Sequence, residues 1–449
     1  MPAVSSFLRR VAVGVVAWFA PCAMAAQQAP AHPLSLGEVI QLAAGQNAAV
    51  DVAHARLSQA NARIRQRRAD LLPNLSAAAV QGARTFNTST LGFAFAGPDG
   101  VPFFDPDGQV VGPVHTVDIR AHLSQSLFDA AAYERVKAAR VAADAIGTEA
   151  DAAAEQAAAA SGMAYIRLLR ADAQVSARMA DSTLADELLA IAQDQVRAGV
   201  GIALDVTRAR AQVSQLHAQA IAARQERSRA ALEISRILSL PPEREVVPAD
   251  SLGSLSLSTG ETGDVARALS QRPELRTLDA QLLASDQAAK AIRRERLPTL
   301  SAFGDNGPIA GEGGSYLRTY TWGVQLSLGI FDGFRRDARL EEAAASREEL
   351  EFRRRDVMRQ VALDVRGATD DLTAAREQLD AARERVTLAE QELAQARERF
   401  RAGVTGNSEA ITASLGLNAA RTLVIDALSS WHAARIALAR AQGAARTLH

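Results

Sequence analysis

Thiols, aromatic rings and net charge are what this chain has little of. Its 449 residues hold one cysteine, Cys22, so a mature form beginning beyond it has no disulfide and no thiol chemistry. Aromatic residues make up only 4%, while Ala, Arg, Glu, Gln and Leu dominate, a bias toward long helices and coiled coils. Fifty basic side chains meet 51 acidic ones, which implies no strong attraction to nucleic acid or to an anionic membrane. The seven histidines are scattered and lack metal-ligand spacing. There is no Gly-rich phosphate loop, nucleophile elbow or paired-cysteine motif, so no catalytic residue, metal or cofactor is expected and the chain reads as a non-enzyme. Asp105-Pro106-Asp107-Gly108 reads as a turn rather than a calcium loop. No stretch after the N-terminus reaches 18 apolar residues, so no transmembrane helix is expected.

The first 26 residues read as a secretory signal, with Arg9 and Arg10, an apolar run from Val11 to Ala20, and a small-residue cleavage site at Ala23-Met24-Ala25. A membrane anchor is the alternative, but the run is far short of the ~20 residues a span needs. Pro21 before Cys22 fits poorly with lipidation of that cysteine. An exported chain without a spanning helix is either soluble or inserted as a β-barrel.

What is present is a duplication. Leu72-Pro73-Asn74-Leu75-Ser76-Ala77 returns as Leu297-Pro298-Thr299-Leu300-Ser301-Ala302, 225 positions later. Leu127-Phe128-Asp129 returns as Ile330-Phe331-Asp332, and Val196-Arg197-Ala198-Gly199-Val200 as Phe400-Arg401-Ala402-Gly403-Val404. A period near 200 is too long for solenoid units. It divides the chain into a first repeat over 34–240, a Pro/Ser/Gly-rich connector over 241–264 and a second repeat over 265–443.

Each repeat reads as helix, strand, loop, strand, long helix, tip and returning helix. Helical pattern over 36–71 stops at Pro73, which cannot continue the hydrogen-bond ladder. Strands are expected at about 75–85 and 115–128, then at about 299–305 and 316–331. In the clearest of them Val117, Ile119, Ala121, Leu123 and Leu127 alternate with polar residues. In the second copy Tyr320, Trp322, Val324, Leu326, Leu328 and Ile330 do the same. Such alternation suits a soluble sheet, but ~10 residues apolar on one face with aromatics near one end also suit a lipid-facing barrel strand, which an exported, otherwise helical chain favours. Helical hairpins are expected over 130–238 and 333–441. In the second rod Val365, Leu372, Leu379, Val386, Leu393 and Phe400 recur every seven residues, with Ala368 to Ala396 recurring between them, a heptad seam of alternating large and small layers. Both rods end at Arg-Ala-Gly-Val, where glycine suits a helix C-cap.

Four amphipathic strands leave open edges, which lipid does not tolerate, and a closed membrane barrel takes about eight. The chain therefore has to oligomerise if its strands are in a membrane. In this order of elements, and in Arg272-Pro273-Glu274-Leu275, the run from Gly199 to Gln212 and the tail from Leu438 to Gly443, the sequence resembles the TolC-like outer membrane efflux proteins over essentially the whole mature chain. That resemblance implies an α+β membrane protein: a homotrimer with a twelve-stranded β-barrel, four strands per chain, joined to a long α-helical coiled-coil tunnel through the periplasm. It implies an outer membrane efflux channel working with a periplasmic adaptor (membrane fusion protein) and an inner membrane transporter of RND, ABC or MFS type, or in type I secretion. A periplasmic adaptor or a structural filament is the competing reading.

The same resemblance places the tunnel's closed end at the hairpin tips. There Asp205 and Glu409 are equivalent, each six residues after its glycine. Glu409 could form a ring of carboxylates about a threefold axis. Asp205 could pair with Arg208 or with a neighbour's arginine, or either acid could simply favour its helix N-terminus. Thr412 stands where relatives carry a second acid. Arg197, Gly199 and Val200 with Arg401, Gly403 and Val404 are the expected tip turns and adaptor contacts. Val117, Ile119, Leu123, Tyr320, Trp322, Val324 and Leu326 are expected to face lipid.

Overall fold

A computed structural model of the chain describes residues 33–91, 98–99, 107–244, 246–255, 263–311 and 313–448. The signal segment with Cys22, the Val101 to Phe104 stretch of the long loop and the Asp105-Pro106 half of its acidic turn lie outside the described residues.

The first repeat contains α1 (Leu36–Gln46), α2 (Ala48–Ala69), β1 (Asn74–Asn87), β2 (Val110–Phe128), α3 (Ala130–Arg197) and α4 (Ala203–Ile237). The second contains α5 (Val265–Gln271), α6 (Pro273–Arg294), β3 (Thr299–Gly311), β4 (Leu317–Ser327), α7 (Arg335–Arg401) and α8 (Asn407–Ala441). Several of these bounds differ from the sequence reading, β2 among them, which begins at Val110 rather than 115. The helical pattern over 36–71 is split by Asn47, which ends α1 and caps α2 by accepting from the Ala49 amide at Oδ1, while its side-chain Nδ2 donates to Ile237 O at 2.8 Å. β3 runs on past 305 to Gly311 through Gly307 and Pro308, residues that read as a loop. Gly307 is needed there because a Cβ would sit 1.9 Å from Ile119 O on the neighbouring strand. β4 stops at Ser327 rather than 331, and α7 begins at Arg335 rather than 333.

The strands form one antiparallel sheet in the order β1-β2-β3-β4. The register aligns Leu75, Leu123, Gly304 and Trp322 across all four strands, and Ala77, Ala121, Asn306 and Tyr320 in the next row. One face is therefore apolar and exposed, with Ile119, Leu123, Val324 and Trp322 all 45% accessible or more. The other face is polar and internally paired. Arg120 Nε lies 2.7 Å from Asp118 Oδ1 and His122 Nδ1 2.7 Å from Asp305 Oδ1, whereas Arg318, which donates to Asn306 Oδ1 at 2.9 Å, shares the Tyr320 face at its loop end.

Below the sheet stand two rods, α3 of 68 residues and α7 of 67, each about 100 Å long at ~1.5 Å per residue. The duplicated Phe-Asp landmarks start both. Asp129 accepts from the Ala132 amide and pairs with Arg135; Asp332 accepts from the amide and the guanidinium of Arg336. The wall of helices runs α2-α3-α6-α7 near the sheet and α4-α3-α8-α7 toward the tips. On α7 the heptad positions Val365, Leu372, Leu379, Leu393 and Phe400 are buried against α8 and α5, with Val386 half-buried, and so are the seam alanines Ala368, Ala375, Ala382, Ala389 and Ala396. The rest of α7 is largely exposed, whereas its counterpart α3 is covered on several sides.

A girdle halfway along packs α1, the middle of α3, the end of α4, the connector and the end of α8 into one core. Tyr165 is its centre, with its hydroxyl 2.8 Å from both Leu34 O and Asp250 Oδ2. Arg272 ties the second repeat to it: Nε donates to Ala441 O at 2.8 Å, capping α8, and Nη2 to Asp364 Oδ2 at 2.9 Å. Pro273 then opens α6, as suits a first helical position.

Candidate functional site at the hairpin tips

Both rods end in the same way. Gly199 and Gly403 take the left-handed conformation, φ +78° and +68°. The amides of Gly199 and Val200 donate back to Val196 O and Gln195 O, and those of Gly403 and Val404 to Phe400 O and Arg399 O. This is the Schellman pattern that satisfies the last carbonyls of a helix. It projects Val200 and Val404 into solvent, 77% and 69% accessible, beside the exposed Ile202 and Leu204. Arg197 and Arg401 pair within their own helices, with Asp194 and Glu398.

The two expected acids end in different surroundings. Each is the third residue of its helix. Asp205 is buried, with Arg208 Nη1 3.8 Å from its Oδ1. Its backbone carbonyl accepts from Asn407 Nδ2 at 2.6 Å, so the start of α4 is bonded to the start of α8. Glu409 is half-exposed and 3.0 Å from Arg399 on the same hairpin. Thr412 turns its hydroxyl back to Ser408 O at 2.8 Å. Asp205, not Glu409, is thus brought to the contact between the tips. A second cross-tie, Gln195 Nε2 to Phe400 O at 2.7 Å, joins the ends of the two rods. The sequence reading missed Gln195 and Asn407, because an amide's role depends on which carbonyl the fold brings to it.

It also missed a charged hub about five turns above the tip. Asp181 on α3 is fully buried; Arg178 Nη1 lies 3.2 Å from it and Arg421 Nη1, on α8, 3.0 Å. Arg178 reaches on to Gln219 of α4 and Thr422 of α8, and the Asn418 amide abuts the same carboxylate. Burial pushes the Asp181 carboxyl above its ordinary pKa, and the two arginines oppose that rise. Higher up, α2, α3, α6 and α7 line a groove of about 1000 Å³ with an alanine floor and walls that include Arg63, Arg67, Asp70, Glu295, Arg339 and Glu342.

No group of His, Cys, Asp or Glu able to hold a metal occurs among the described residues. Among them, no helix is long and apolar enough to cross a membrane.

The profile of the family described as outer membrane efflux protein matches residues 39–239 and 265–444. A comparison with curated protein sequences gives no match. Among solved structures, a membrane protein from Pseudomonas aeruginosa superposes with a TM-score of 0.73 at 20% identity, covering 91% of this chain and 93% of that one. The CmeC outer membrane channel of Campylobacter jejuni gives 0.72 at 17% identity, over 91% and 86%. The open state of the MtrE outer membrane channel of Neisseria gonorrhoeae gives 0.71 at 19%, over 91% and 88%. At these identities the likeness is one of fold.

Proposed function

Because the chain belongs to the outer membrane efflux protein family, we propose that three copies of it form a passive duct, the outer membrane component of a tripartite export system. The observation that carries this reading is the open edge of the wall at every level. β1 and β4 end the sheet, α2 and α7 end the upper wall, and α4 and α7 end the lower one. Inside the chain the two repeats are joined by β2 with β3, α3 with α6, and α3 with α8. Each of these contacts has an unmade counterpart between copies: β4 with the next β1, and α7 with the next α2 and α4. Three copies close a sheet of twelve strands, with no edge left in lipid. The rods, about 100 Å long, then extend into the periplasm.

The exposed apolar tip residues, Val200, Ile202, Leu204 and Val404, are the surface for a periplasmic adaptor, with Arg197 and Arg401 at its margin. The inner membrane partner, of RND, ABC or MFS type, selects the cargo. Asp205, with Arg208, belongs to the closed latch. The pair Glu409–Arg399 and Thr412, which share one pocket at the tip of the second hairpin, are the gate residues of this reading. Extraction from outer membranes with detergent as a heat-modifiable trimer is the expected behaviour. Release by osmotic shock as a soluble monomer, as a periplasmic adaptor would show, refutes the channel. Glu409→Ala is expected to change single-channel conductance or cation block while leaving the trimer intact, and unchanged single-channel behaviour removes Glu409 from the gate.

A further inference from the structure

The near-neutral total charge conceals a band of cations where the helices meet the sheet. Residues 63–70 end α2, 129–140 begin α3, 290–296 end α6 and 332–339 begin α7; together they hold fourteen basic and six acidic residues, in a chain of net charge −1. The helix dipole favours cations at the ends of α2 and α6 but opposes Arg335 and Arg336 at the start of α7. Arg65, Arg68, Arg293 and Arg294 are exposed and make no ion pair among the described residues.

At one place this band meets the apolar face of the sheet in a pocket. A cavity of about 460 Å³ is walled by Leu71, Leu127, Phe128, Tyr133, Lys137 and Arg294. Leu127, Phe128 and Tyr133 are 54%, 51% and 63% accessible, far more than large apolar side chains need to be beside a cavity they could fill. The β2–β3 register slips between Ser126 and Phe128, and Leu127 and Phe128 are both exposed there. The two carboxylates in the lining are already engaged. Asp129 caps α3 and pairs with Arg135, and Glu134 lies 3.2 Å from Lys137. Arg294 is the cation left free.

We propose that this pocket binds an anionic phospholipid of the membrane leaflet nearest the helices, its phosphate between Arg294 and Lys137 and its acyl chains along Leu127, Phe128 and the apolar face of β2. The proposal rests on the reading that the strands lie in a membrane. A cation at a membrane surface strengthens anionic-lipid binding by about fivefold, and salt weakens it. The pocket lies inside one chain, so a trimer carries three.

The test inserts the full-length protein into vesicles of phosphatidylcholine alone and of an equimolar mixture with phosphatidylglycerol, followed by native mass spectrometry of the extracted protein. Retention of phosphatidylglycerol over phosphatidylcholine by roughly fivefold or more is expected. The ratio falls toward one in Arg294→Gln/Lys137→Gln and is kept in Arg294→Lys, which controls for folding. Equal retention of both lipids by the unaltered protein, or an unchanged ratio in the double variant, overturns the proposal. Failure to float with either vesicle overturns the membrane reading itself, whereas flotation with both and no preference overturns the lipid site alone.

Discussion

Removing the Asp181 carboxylate leaves Arg178 and Arg421 without their shared counter-ion between two hairpins. Breaking a buried pair in this way costs about 3–5 kcal/mol. The two arginines are 16% and 31% accessible, so water offsets part of the loss and the low end applies. Asp181→Ala is therefore expected to lower the temperature at which the trimer dissociates on a gel, and Asp181→Asn, which keeps a hydrogen-bond acceptor, to lower it less. Equal stability of all three proteins would show that the hub carries no load. Nothing in the sequence distinguishes Asp181 from the many acids on a solvated rod. Its burial depends on α8 crossing α3, a contact between residues 240 positions apart. The tip glycines, by contrast, were legible, because a left-handed helix end needs glycine wherever the helix goes afterwards. Asp205 and Glu409 were legible as equivalent positions, but not as one buried and one exposed acid.

On the scale of elements, the α7 seam is the part that local pattern specified most completely. The seven-residue spacing needs only one neighbour, and α8 supplies it along most of the rod. Leu393 is 6% accessible within a cluster that also holds Leu188, Leu417 and Phe400. Leu393→Ala is expected to cost about 2–5 kcal/mol through a cavity the rods close only partly. Leu388, 51% accessible one face away, is expected to cost well under 1 kcal/mol as Leu388→Ala. Thermal dissociation of the two variants separates these outcomes, and equal losses would refute the assigned seam. Strand β3 was the least legible element. Its glycines and proline mark a loop by composition, and only the close approach of β2 at Gly307 turns them into a strand requirement.

At the scale of the whole molecule, the two repeats are alike in order and unlike in burial, because α3 is interior to the chain and α7 lies at its edge. Asymmetry of that kind is what a ring of repeats presents when one chain is viewed alone. The duplication can then be used to place residues across the proposed interface. Asp181 on α3 meets Arg421 on α8. Shifting that register by one repeat sets α7 against the next copy's α4, with Arg210 opposite Glu392 and Arg224 opposite Gln378, next to Glu377. The charges agree with this placement. α4 carries six arginines and three acids, while residues 370–398 of α7 carry eight acids and four bases. Arg210 and Arg224 are exposed and make no ion pair among the described residues. An exposed pair contributes about 0.2–1 kcal/mol, and each is repeated at three interfaces. Arg210→Glu/Arg224→Glu is therefore expected to shift protein from trimer to monomer in detergent, more strongly at low salt, where screening is weak. Adding Glu392→Arg/Glu377→Arg restores the trimer by exchanging the charges. A trimer indifferent to the first pair of changes, or one that the second pair weakens further, would show that α7 and α4 do not meet in this register.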